Sequence, residues 1–98
     1  RATVALKKVE FMEPRLGETF PARITGVTSF GVFVTLDEYF VEGLIHVRSM
    51  KDDFYQVSQR EWSLVGERTG NRHTLGDRLE VQVVRVDKEA RHIDFSYV

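Results

Sequence analysis

His46, His73 and His92 are the residues with the widest chemical range in this sequence, and they stand apart from one another. No His-x3-His or Cys-x2-Cys spacing is present, so no metal site is signalled. Asp37 and Glu38 are adjacent, as are Asp52 and Asp53. Neighbours along a strand point to opposite faces, so neither pair converges on one ion, and solvated turn carboxylates are the expected role. The serines lie in no nucleophile motif and no glycine loop could cradle a phosphate. No catalytic site and no cofactor is therefore expected within the chain.

A different chemistry is suggested by SFGVFV, residues 29–34. Val32, Val34 and Leu36 alternate and can line a buried face, which leaves Phe33 pointing the other way. Gly31 permits a bulge that could carry Phe30 onto the same outer face. His46 falls on the next strand, opposite in parity to Ile45 and Val47. Two aromatic rings and an imidazole on adjacent strands would form a platform on which nucleic-acid bases stack. Periodicity alone leaves a structural alternative, in which Phe30 and Phe33 cap the barrel or pack beneath residues 51–74.

These residues need strands to hold them. The chain has 98 residues, enough for one core. Its 42% hydrophobic and 30% charged content is that of an ordinary folded domain. No apolar run approaches the roughly 20 residues of a membrane span, and no membrane partner is expected. The formal net charge is −1, so attraction to a polyanion must come from a local patch or from stacking. There is no cysteine, which is compatible with a reducing, cytoplasmic setting. A first residue that is not methionine suggests a piece of something larger.

Residues 2–12 carry Val4, Leu6, Val9 and Met12 in loosely helical spacing, ended by Pro14. Residues 1–15 read as a helical remnant or linker from a preceding domain, and residues 16–98 as one folded unit. Strands are expected near residues 17–25, 29–36 and 41–47, with a bend at Gly26. Residues 51–74 read as a β-hairpin, or two short strands, with a turn around Gly70 and Asn71. Residues 75–87 alternate and then switch phase, implying a bulge near Val83. The turn KEAR precedes a last strand. The fold expected is all-β: a five-stranded OB-type barrel with a hairpin-like insertion and a short N-terminal helical segment. An SH3-like barrel or small sandwich is the rival.

SFGVFV, EGLIHVRS and VQVVRVDKEARHIDFS occur in the order that marks the S1 RNA-binding domain, an OB fold, and the chain resembles that family over residues 16–97. The resemblance implies that Phe30, Phe33, His46, Asp87 and Arg91 face RNA. Arg91 would meet phosphate or lie on a base, with Asp87 orienting it; a plain turn salt bridge between these two is the alternative. Arg23, Arg48, Lys51 and Arg85 would add phosphate contacts. Arg48 is a small departure, since the family usually has serine directly after His-Val.

FMEPRLGETF, the stretch DDFYQVSQREWSLVGERTGNRHTLGDR and the end RVDKEARHIDFSYV are similar to the carboxy-terminal S1 domain of the bacterial ribonuclease R branch of the ribonuclease II family. That resemblance implies a single-stranded RNA-gripping module of a 3′→5′ exoribonuclease. Magnesium and its aspartates would sit in a separate catalytic domain, so this chain would bind RNA and cut nothing. Its partners would be single-stranded RNA and the parent's catalytic and other RNA-binding domains, and it is expected to be monomeric. The competing expectation is a protein-interaction module in which Trp62, Leu64 and Val65 dock on a neighbour. The packing of Trp62 onto the barrel is the more ordinary expectation for that residue.

Overall fold

Ala22 and Ile24 alternate with exposed Pro21, Arg23 and Thr25, and in the computed structural model, which describes residues 3–98, they turn inward as a strand's period of two requires. This first strand, β1, spans Thr19–Thr28. It is followed by β2 (Gly31–Leu36) and β3 (Glu42–His46). After an excursion come β7 (Arg78–Asp87) and β8 (His92–Tyr97), and the five close into a barrel in the order β1-β2-β3-β8-β7. Pairing is antiparallel except between β3 and β8, where Leu44 faces Asp94 and Ile45 faces Phe95 in parallel register. The interior is filled by Ile24, Val32, Val34, Leu36, Ile45, Val81, Val83, Ile93 and Phe95, all buried. Gly43 makes room for the Phe95 ring, which a Cβ would overlap.

The bend expected at Gly26 and the bulge expected near Val83 both coincide with register shifts. In β1 the register against β2 skips between Ile24 and Gly26. In β7 the register against β8 skips between Val83 and Arg85, which turns Val84 to solvent and brings Val86 opposite Ile93. Each bulge sharpens the coil that a narrow barrel needs.

The excursion differs from the hairpin expected. It is a three-stranded antiparallel sheet of β4 (Tyr55–Ser58), β5 (Ser63–Gly66) and β6 (Arg72–Thr74). The third strand is only three residues long, but Leu64 pairs with His73 and the Ser63 and Thr74 hydroxyls meet at 2.7 Å. The turn from β5 to β6 is built on Asp53. Its carboxylate accepts from the backbone N–H groups of Phe54, Arg68 and Thr69 and from the Thr69 hydroxyl. Those donors hold its carboxyl well below the usual carboxylate range.

A polar chain fastens this sheet to the barrel. Tyr97 on β8 meets His73 Nδ1 at 2.7 Å, His73 Nε2 meets the Tyr55 hydroxyl at 3.2 Å, and that hydroxyl donates to Asp52 at 2.8 Å. With Tyr55 donating to Asp52, a neutral His73 carrying its proton on Nε2 satisfies every link. Burial lowers the His73 pKa, and burial with the Asp52 hydrogen bond pushes Tyr55 up to about 12. The excursion's Leu64 enters the common core, whereas Trp62 stays 64% exposed, in a turn with φ of 53°.

The helical segment is α1 (Leu6–Met12), continued through Pro14 by a single 3-10 turn, Glu13–Arg15. Within the stretch read as a linker, Val9 and Met12 are fully buried in the barrel's core cluster, and Leu6 is left exposed. Two of the linker residues, Arg1 and Ala2, lie outside the described residues.

Candidate nucleic-acid interface

The outer face of the barrel is set by register. Partners across a sheet point the same way. Gly26, Phe33, Leu44 and Asp94 are successive partners across β1, β2, β3 and β8, and Arg85 on β7 is the next. These residues therefore form one strip across the sheet. Gly31 and His46 are partners toward one end of it, and Asp87 and His92 are partners toward the other.

Phe33 turns outward as its parity predicts. Its ring lies over Gly26, whose missing side chain leaves the space for it. Phe30 reaches the same face by a route other than the expected bulge at Gly31. It sits in the two-residue turn between β1 and β2, and its carbonyl accepts the Val47 N–H at 2.8 Å. Its ring meets that of Phe33 edge-on, with centroids 6.4 Å apart and planes at 88°. Half of Phe30 is open to solvent. Gly31 has a different task from making a bulge: a Cβ there would overlap the Ile45 carbonyl oxygen, so glycine is what lets β3 approach.

His46 lies beside this pair on β3, half-buried, with Nε2 3.5 Å from Asp94 Oδ1. Asp94 is the residue sequence reasoning missed. It is only 7% exposed, and its other oxygen lies 3.8 Å from Arg85 Nη1. It thus links the imidazole of β3 to a guanidinium of β7. Its parity with His92 and Ser96 was visible, but nothing local shows that β8 runs parallel beside β3.

Asp87 and Arg91 do not form the turn salt bridge that stood as the alternative. Asp87 Oδ1 accepts the Ala90 N–H at 3.0 Å, and its Oδ2 pairs with Arg85 at 3.2 Å. The Ala90 bond first, and Arg85 with it, lower the Asp87 pKa. Arg91 closes the turn with φ of 56°, its carbonyl accepting the Val4 N–H, while its guanidinium is in no ion pair among the described residues. It lies past His92, at the end of the strip away from Phe30. Arg23 faces out from β1 opposite Thr35, two residues along β2 from Phe33. Arg48 and Lys51 stand just beyond His46, in and after the 3-10 turn Val47–Ser49. Of the cations named from the sequence, Arg85 is the one that lies in the strip itself, opposite Asp94.

The geometry suits stacking. Two rings at right angles offer an edge and an open face, with an imidazole next to them. Among the described residues, no group of three or more histidine or acidic side chains could hold a metal ion. No helix among them is long and apolar enough to cross a membrane.

Comparison with known proteins agrees with this geometry. Residues 13–98 match the S1 RNA-binding domain family. The chain is 44% identical to Ribonuclease R of Escherichia coli over 91 residues, which is 93% of this chain and 11% of that protein. It therefore spans only about a tenth of the length of such relatives. Among solved structures, RNase R of Mycoplasma genitalium superposes with a TM-score of 0.89 in its apo form, at 28% identity, over 95% of this chain and 14% of that one. The same protein in complex with ribose-methylated single-stranded RNA gives a TM-score of 0.87, over 93% of this chain and 14% of that one. With the barrel, the outward Phe30–Phe33 pair and a family match over nearly its whole length, this chain belongs to the S1 RNA-binding domain family.

Proposed function

We propose that the chain grips single-stranded RNA for a larger 3′→5′ exoribonuclease of the ribonuclease R type. The observation that carries this reading is the Phe30–Phe33 pair, held outward beside His46 by a scaffold that would otherwise bury such rings. Bases stack on Phe30, Phe33 and His46. Arg91, Arg85, Arg48, Lys51 and Arg23 meet phosphates around them. Sequence preference is slight, because stacking does not read base edges. Hydrolysis, and the magnesium it uses, belong to a separate catalytic domain of the parent, to which residues 1–15 lead. This domain acts as a cytoplasmic, monomeric module that guides a strand toward it. The parentage is supported by relatives that bear the name Ribonuclease R and by structural likeness along nearly all of this chain.

The test is a titration of the chain with oligo-U, following backbone amide signals. Gly31, Phe33, His46 and Arg91 are expected to move together, and folded Phe33→Ala is expected to lose the response. Shifts confined to another face would overturn the platform. Labelled RNA incubated with the chain and magnesium should remain intact, and a ladder of shortened products would overturn the assignment of hydrolysis elsewhere.

A second reading, docking on a neighbouring domain or protein, is favoured by one observation. Trp62 is exposed beside a shallow groove lined by Val27 and Val57. Leu64, expected to share in it, is buried. Partner binding that survives Phe33→Ala and fails with Trp62→Ala would select this reading.

A further inference from the structure

Between the turn after β3 and the edge strand β4 lies an open cleft of about 690 Å³, the size of an ordinary small-ligand site. One wall is Val47, Arg48 and Lys51, and the other is Phe54 and Gln56, with Arg68 on the rim. Three cations thus border one concavity in a chain whose net charge is −1. The nearest acid does not cancel them in a simple way. Asp53, at the floor, is already engaged by the backbone and hydroxyl donors of Phe54, Arg68 and Thr69. Arg68 touches Asp53 only at 3.9 Å and donates to the Asp52 carbonyl, and its side chain stays 70% exposed. Glu67 does not line the cleft and accepts from Gln56.

Phe54 is 70% exposed, which is unusual for a large apolar side chain, and it is not on a loose loop. Its N–H is bonded to Asp53 at 2.6 Å and its carbonyl accepts the Glu67 N–H at 2.8 Å. The ring is therefore presented on a fixed backbone. The cleft is also tied to the platform through the backbone, because Val47, one of its lining residues, donates its N–H to the carbonyl of Phe30.

We propose that this cleft is a second single-stranded RNA subsite, in which a base stacks on Phe54 while Arg48, Lys51 and Arg68 hold the flanking phosphates, so that a strand leaving the Phe30–Phe33 platform continues across the excursion. A rigid exposed aromatic ring ringed by cations is the pattern that takes a nucleotide, since every base has a π-face and every linkage a negative charge. The inference rests on RNA reaching the platform, and the test separates the two.

Oligo-U of about four and about twelve nucleotides would be titrated into the wild type, Phe33→Ala, Phe54→Ala and Arg68→Ala, by anisotropy at one fixed salt concentration. The short oligomer cannot occupy both subsites. Phe54→Ala and Arg68→Ala should leave its affinity unchanged and weaken the long oligomer about fivefold or more. Phe33→Ala should weaken both. Phe54 and Arg68 are exposed, so both variants should keep the wild-type melting temperature. If both bind the long oligomer as the wild type does while Phe33→Ala does not, the second subsite is overturned and the platform stands. If Phe33→Ala binds normally and Phe54→Ala does not, the platform falls and the cleft remains. If all variants bind RNA alike but an acidic protein protects Phe54, the cleft serves a protein and the proposal is overturned.

Discussion

Replacing Phe33 with leucine separates two tasks of its ring. The ring covers Gly26, where β1 has no side chain of its own, and it supplies a π-face. Truncation to alanine removes both. A fully buried phenylalanine costs about 3–5 kcal/mol when cut to alanine, and Phe33 is only partly buried, so about 1–2 kcal/mol of stability is expected to go. Part of this is the edge contact with Phe30, worth about 0.5–1.5 kcal/mol. Leucine restores most of the apolar cover, so Phe33→Leu should fall within about 1 kcal/mol of the wild type. It restores no aromatic face. If bases stack there, Phe33→Leu should still lose about 1–3 kcal/mol of binding, or about 5- to 150-fold in affinity for oligo-U. Phe30→Ala is the companion: half exposed, it should cost less than about 1 kcal/mol in stability and a similar factor in affinity. Urea denaturation gives the first quantity and fluorescence anisotropy at fixed salt the second. Wild-type affinity in Phe33→Leu would refute the reasoning, because apolar cover would then be all the ring provides.

Gly31→Ala should cost more than any platform variant, about 2 kcal/mol or more by urea denaturation, because its Cβ would overlap the Ile45 carbonyl and part β2 from β3. Arg91→Gly should raise stability slightly, by up to about 1 kcal/mol, since Arg91 holds a left-handed φ of 56°, and should at the same time weaken RNA binding; unchanged affinity would remove Arg91 from the interface. Asp53→Ala should melt the turn that follows β5, and hydrogen exchange at Arg68 and Thr69 should speed up at least ~10-fold. Because the Asp53 pKa is depressed, this stabilisation is full above the ordinary carboxylate value of 3.8 and is lost as pH falls below it. The His73 pKa is also lowered, from 6.5, so the unfolded chain takes up the proton first. The contribution of His73 is then full above pH 6.5 and fades as pH falls below it, and the melting temperature should drop on acidification, with a shallower slope in His73→Gln.

The barrel was legible because its strands alternate strictly and its two bulges leave phase shifts that can be counted. Ile24 and Gly26 in β1, and Val83 and Arg85 in β7, break parity in the sequence where they break register in the sheet. Strand β6 was missed for a physical reason. Arg72, His73 and Thr74 have no apolar alternation; they are a strand through pairing with β5, supported by a hydroxyl pair with Ser63 and a bond from the Tyr97 hydroxyl to His73. Phe33 and His46 were placed by parity, and Phe30 by motif, since the bulge expected at Gly31 is not what carries it. Asp94 was not, because its neighbours come from the parallel pairing of β8 with β3. Trp62 was expected to pack on the barrel, but it sits in a left-handed turn and stays 64% exposed. Side chains set by local period were therefore readable, and those set by distant pairing were not.

The single parallel pairing also sets the order in which the domain can be completed. Strands β1, β2 and β3 join by short connections, but β3 stays an open edge until β8, the last strand, arrives beside it. Closing that seam requires ordering a long intervening stretch of chain first, which makes such contacts slow to form. During synthesis the growing chain would expose the edge of β3, with Leu44 and Ile45 on it, until Phe95 has left the ribosome. The small excursion sheet, made of neighbouring strands, can form in that interval. Its strands β5 and β6 lie against β1 and its Leu64 belongs to the common core, so the excursion can cover the open end of the first three strands before the seam closes.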